Sequence, residues 1–178
     1  MTFPVLVLTL LSFQAPPVID NQRVQVQELH GAADSVPFDA VWISRKGHVA
    51  FLKKGSVHKA DGNGILISLK DFKAEPFSSK SSYPPAFPRP RSKKVLENAR
   101  VIVWDYACIP GVPTPMHIHD KDVVVYYLED GDLESTTPTG EKTVNPYKPG
   151  MARFNLRDRT HTESLIRGKQ RAIITELK

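Results

Sequence analysis

Three histidines carry the chemistry that this sequence can do: His117, His119 and His161. His117 and His119 are separated by one residue, so in an extended strand both rings project from the same face. His161 adds a third imidazole later in the chain. Neutral imidazoles suit zinc, copper, iron and nickel, and a divalent transition metal, one of these four or manganese, is the candidate cofactor. Three protein ligands with positions left open is the arrangement of a reactive site rather than a purely structural one. Beside this stands a plainer reading, in which the histidines are surface or hydrogen-bonded strand residues and no metal binds.

The elements that must position these rings read as β-strands. Arg100 to Cys108 is a β-branched and aromatic run that Pro110-Gly111 turns, and His117-Ile118-His119 follows. Val123-Val124-Val125-Tyr126-Tyr127-Leu128 is a second such run, ended by Glu129-Asp130-Gly131. Gly131 to Thr136 and Thr143 to Asn145 flank the turn Pro138-Thr139-Gly140. Pro149-Gly150 opens Met151 to Leu156, and a polar turn leads to His161. Fifteen prolines and few long helical periodicities point to an all-β fold.

This layout resembles the cupin superfamily. Its first motif, G-x5-H-x-H-x3,4-E-x6-G, is met at or near its places by Gly111, His117, His119 and Gly131. Its second, G-x5-P-x-G-x2-H-x3-N, is met by Gly150 and His161, but Arg157-Asp158-Arg159-Thr160 replaces the usual Pro-x-Gly turn. The resemblance covers roughly Leu96 to Lys178 and implies a double-stranded β-helix, or jelly-roll, barrel with His117, His119 and His161 as metal ligands in a pocket. One departure matters most: the glutamate that completes the cupin metal set would fall near Val123 or Val124, which cannot bind a metal. Asp122 lies one residue short and is the candidate fourth ligand, but it would point to the opposite face unless a bulge shifts it.

The pocket wall opposite the histidines is expected from Tyr126 or Tyr127 and from alternate residues of Met151 to Leu156. Arg153, turned inward, would grip a carboxylate; turned outward, it is a solvent-facing arginine. Tyr127 and Arg153 are therefore the candidate substrate-binding residues, while Arg157 and Arg159 are expected at the surface. Two functions stand: a metal-dependent enzyme acting on a small organic acid, of oxygenase or isomerase type, or a non-catalytic module that binds a small ligand or protein partner. Cupin barrels often pair through their sheets, so a homodimer is also expected.

Composition bounds the rest. The 178 residues are 40% hydrophobic and carry a net charge of +5, from 24 Lys+Arg against 19 Asp+Glu. The bases are dispersed, with no helix or aromatic platform to gather them, so nucleic-acid binding is not expected. Cys108 is the single cysteine, which excludes an intrachain disulfide, and it reads as a buried small hydrophobe. Residues 1–15 form an apolar run too short to span a bilayer but long enough for a signal-peptide core. Cleavage there would send the chain to the periplasm or outside the cell; otherwise the run is a buried first strand of a cytoplasmic protein.

Residues 16–74 read as a shortened copy of the second half, a degenerate cupin-like sheet that would make the chain a compact bicupin. Asp20 to Val26 parallels Glu97 to Val103, Phe38 to Ile43 parallels Lys121 to Tyr126, and Ile65 to Lys70 parallels Ala172 to Lys178. Residues 75–95, rich in Pro and Ser, read as an extended linker to the cupin domain at 96–178, with Phe77, Tyr83 and Phe87 against the outside of the barrel.

Overall fold

In the computed structural model, residues 18–31, 35–58 and 62–178 are described; the apolar run at 1–15 lies outside them. Among the described residues there are fourteen strands and no helix, so none is present that could cross a membrane. The first five are β1 (Ile19–Asp20), β2 (Val24–His30), β3 (Ala40–Ser44), β4 (Val49–Leu52) and β5 (Asn63–Leu69). They form one antiparallel sheet in the order β4-β3-β5-β2-β1.

The remaining strands are β6 (Ser92–Glu97), β7 (Val101–Ala107), β8 (His117–His119), β9 (Asp122–Tyr127), β10 (Gly131–Thr136), β11 (Lys142–Tyr147), β12 (Ala152–Asn155), β13 (Arg159–Gly168) and β14 (Arg171–Leu177). They build two facing sheets, β12-β9-β14-β7-β6 and β11-β10-β13-β8. From β7 to β14 the chain passes between the two sheets in the jelly-roll manner, with only β10 and β11 consecutive in one sheet.

The three sheets stack as layers, and the sequence explains why the central strands of the middle one are largely apolar. Strand alternation sends Val123, Val125 and Tyr127 of β9 into the barrel, where they pack with Trp104, Tyr106, Leu133, Tyr147 and Ile174. Val124 and Tyr126 point the other way and join Val24, Val26, Val41, Ile43, Ile65 and Ile67 of the first sheet. A strand covered on both faces needs no polar side, and all six residues of β9 are buried.

The first and middle sheets run in parallel detail. Val24 pairs with Leu69 as Val101 pairs with Leu177, and Ala40 pairs with Ser68 as Val123 pairs with Glu176. Asn21 Oδ1 accepts from the amides of Arg23 and Val24, as Asn98 Oδ1 does from those of Arg100 and Val101. Contacts between the sheets are reciprocal too. Arg23 donates to Asp122 and to the carbonyl of Lys178, while Arg100 donates to Asp39 and to the carbonyl of Lys70.

The linker reading needs correction at its far end. Tyr83 is exposed and Phe77 lies under the Arg157 guanidinium, but Phe87 is buried inside the barrel, stacked 5.2 Å from Trp104. Ala86 N donates to the Ile118 carbonyl and Ile118 N to that of Pro84, so this segment runs along the open edge of β8. A large aromatic gains more by filling the barrel than by lying on its surface. The same excursion carries Arg89 to the histidines.

Candidate metal centre

β8 and β13 bring the three histidines together. In their antiparallel ladder His161 lies directly opposite His117, and Arg159 lies opposite His119. Directly opposed residues share a face, so all three rings turn the same way, into the barrel. Their centroids stand 4.9 Å apart for His117 and His161 and 5.1 Å apart for the other two pairs. Their nitrogen ligand atoms lie within 4.8 Å of one another, close enough to bind one metal ion, and all three residues are buried.

The turn before β13 is held without the second motif's glycine. Counting from Gly150, that glycine's place is taken by Asp158, which adopts a φ of 65°. Aspartate tolerates the left-handed region better than most residues. The Asp158 amide donates to the His119 carbonyl, which ties the turn to the strand of His117 and His119.

Ring orientation and protonation suit a metal. His117 Nδ1 donates to the Pro115 carbonyl at 2.8 Å, which leaves Nε2 with its lone pair turned inward. His119 Nδ1 and His161 Nε2 are buried with no protein partner, and an orphaned buried nitrogen calls for a ligand. Burial, aided by the neighbouring Arg89, holds the His117 pKa down at about 4. Burial lowers His119 and His161 as well, with Arg159 adding to the effect at both. All three imidazoles are thus neutral at ordinary pH, the form that binds a metal.

The carboxylate beside the rings is not the one expected. β9 pairs with β14 in unbroken register, so no bulge turns Asp122 inward. Its carboxylate faces the first sheet, 2.6 Å from Arg23 Nη1 and 2.8 Å from the Arg157 amide. Glu163 stands beside the histidines instead. It follows His161 by two residues on the same face of β13, with Oε1 3.8 Å from His161 Nε2. Its Oε2 is 3.3 Å from Arg89 Nη2. Desolvation opposes ionisation of Glu163, but the positive charges beside it, Arg89 foremost, outweigh it and keep its pKa below the usual glutamate value.

Two arginines complete the surroundings. Arg89 stacks over the Tyr106 ring, 3.9 Å from its centroid, and donates from Nη1 to His117 Nε2 at 3.1 Å. Arg159 is fixed through Nε to the Leu156 carbonyl at 2.7 Å. A cavity of about 40 Å³ adjoins the rings, lined in part by His119, His161, Glu163, Tyr127, Asn155 and Arg159. Tyr127 stacks on Tyr147 there, and burial pushes its hydroxyl up to about 12. Arg153 does not line the cavity, although its guanidinium lies 5.9 Å from the Tyr127 ring centroid; it donates to the Pro146 carbonyl and to Asn145 Oδ1. Cys108 is buried, its thiol 3.5 Å from the Tyr106 hydroxyl and raised in pKa by desolvation.

Glu163, Arg89 and Arg159 did not emerge from the motifs. For Glu163 the signal was present: His161-x-Glu163 repeats the one-residue spacing of His117-x-His119, so the alternation that pairs those two rings also turns Glu163 inward. Arg159 obeys the same rule, two residues before His161. No local pattern marks Arg89, which arrives from a segment without periodicity.

Comparison with known proteins agrees with this architecture. No protein-family model matches the chain. A curated protein, the beta-alanine degradation protein BauB of Pseudomonas aeruginosa, is 41% identical over 59 residues, which are 33% of this chain and 61% of that protein. The match thus spans less than two thirds of the relative's length. Among solved structures, AerE from Microcystis aeruginosa superposes with a TM-score of 0.50 at 12% identity, over 93% of this chain and 98% of that one. A cupin domain from Bordetella pertussis gives 0.46 at 23% identity, over 55% of this chain and 98% of its own. The fold shown is a barrel of two facing antiparallel sheets in the double-stranded β-helix arrangement, preceded by a further antiparallel sheet and similar to that of these solved proteins.

Proposed function

We propose that this protein binds a divalent transition metal through His117, His119 and His161 and uses the remaining coordination positions to hold an oxygen of a small organic acid. The observation that carries this reading is the convergence of three buried, neutral imidazoles, two of them with a nitrogen that no protein group satisfies. A metal bound there would supply Lewis acidity, polarising the oxygen it holds.

The chain's own groups have separable parts in this scheme. The Pro115 carbonyl fixes the His117 tautomer, so that Nε2 is the ligating atom. Glu163 supplies the negative charge that Val123 and Val124 cannot, from the strand of the third histidine rather than from β9. Tyr127 remains a neutral phenol and offers a hydroxyl to the cavity. The likeness to a protein named for beta-alanine degradation supports a short carboxylate as the class of ligand.

Cobalt substitution tests the reading. Cobalt(II) bound by nitrogen ligands absorbs in the visible, and addition of a small carboxylate should change the bands if coordination positions are open. Protein that takes up no cobalt, or a spectrum indifferent to every small acid tried, would overturn it.

One observation favours a non-catalytic role as the second reading: Arg89 already donates to His117 Nε2, and the adjoining cavity has room for only a few atoms. In either reading the first sheet acts as a scaffold. We read it as the reduced copy anticipated from sequence, which covers in cis the sheet face through which two barrels could otherwise pair.

A further inference from the structure

Arg159 is a charge without a partner. Its Nε is satisfied by the Leu156 carbonyl, but the guanidinium forms no ion pair among the described residues, although it is half-buried and lines the cavity that His119, His161 and Glu163 share. The other arginines near the histidines differ in this respect: Arg89 is paired with Glu163, and Arg157 donates outward to the Glu75 carbonyl. A guanidinium held in a cavity with its terminal nitrogens free is the fork that matches a carboxylate. Its place is set by the ladder, since Arg159 lies opposite His119 and shares the face of the three rings.

We infer that Arg159 is the specificity-determining residue of this site, holding the carboxylate of a short-chain acid whose other end reaches toward the histidines. The assignment rests on the metal-site reading for the ligand's second contact, but not for its first. The cavity of about 40 Å³ admits only a few heavy atoms, which limits the acid to a short one. Asn155, Gln170 and the Tyr127 hydroxyl line the same space and can donate to the ligand's remaining oxygens. Arg153, the arginine expected from sequence in this role, donates instead to Pro146 and Asn145.

The test compares propionate with propionamide, its neutral isostere, by calorimetric titration into zinc-loaded and metal-free protein. Propionate should bind and propionamide should not. Arg159→Gln should weaken propionate binding at least about tenfold, with Arg159→Lys intermediate, while zinc content stays that of the native protein. Because Arg159 has one anchoring bond, to Leu156, both variants should fold, which a thermal melt checks. Propionate bound by Arg159→Gln as tightly as by native protein, propionamide bound as well as propionate, or no propionate binding by native protein each overturns the inference. Propionate bound through Arg159 by protein that takes up no zinc upholds it while removing the metal-site reading. Zinc uptake without propionate binding does the reverse.

Discussion

Arg89 Nη1 lies 3.1 Å from His117 Nε2, the nitrogen left free for a metal by the bond from Nδ1 to Pro115. A guanidinium and a metal cation cannot both sit on that lone pair, so Arg89 is a competitor that metal binding must displace. Removing it should therefore help the metal. Arg89→Ala should bind zinc about tenfold more tightly than native protein, as like-charge repulsion is relieved. A competition titration against a chelator of known affinity measures this, and an unchanged or weaker affinity would contradict the competition.

Glu163 should have the opposite sign. Its carboxylate lies 3.8 Å from His161 Nε2 and would balance the charge of a metal bound there. Glu163→Gln keeps the shape and removes the charge, and should lower zinc affinity by about 10–100-fold, the range seen when groups supporting metal ligands are lost. The number of zinc ions bound should stay the same. Native affinity in this variant would show that Glu163 serves only to hold Arg89.

Asp122 should prove structural. It forms a buried pair with Arg23, the two side chains being 7% and 10% exposed, which joins the first sheet to the barrel. Arg23→Ala strands that carboxylate and should cost about 3–5 kcal/mol of stability in denaturant titration. Asp122→Asn should likewise lose stability yet keep its full zinc content. Loss of zinc from a folded Asp122→Asn protein would restore this residue as a ligand.

These contrasts show what the sequence could and could not reveal. Strand alternation was enough to place His117 with His119, because period two is intrinsic to an extended chain. It also favoured turning Asp122 away from them, and the ladder of β9 with β14 keeps it there. The Arg23 to Asp122 contact spans 99 positions and depends on how two sheets stack, which no local spacing encodes. Arg89 was hidden for a related reason: Pro84 to Pro90 has no repeat, and its path is set by Phe87 entering the barrel. Glu163 was legible in principle, but the motif drew attention to Val123 and Val124.

Acid should destabilise the metal-free protein. His117 has an ordinary value of 6.5 and is held at about 4 in the folded chain, chiefly by desolvation. As pH falls below 6.5 the unfolded chain binds a proton that folded His117 refuses, so stability is lost down to about 4 and then levels off for this group. His119 and His161 are shifted in the same direction and add to the loss. Thermal melts of metal-free protein between pH 7 and pH 4 should show it, and a His117→Gln variant should flatten the slope. A melting temperature independent of pH over that window would mean that these rings are not buried as neutral groups.

The most direct test is metal content. Protein purified without added metal and then titrated with zinc should reach about one equivalent, while His117→Ala and His161→Ala should fall below about a tenth of an equivalent and remain folded. Native protein that takes up no transition metal, or a His161→Ala variant that binds it as well as native protein does, would contradict the account.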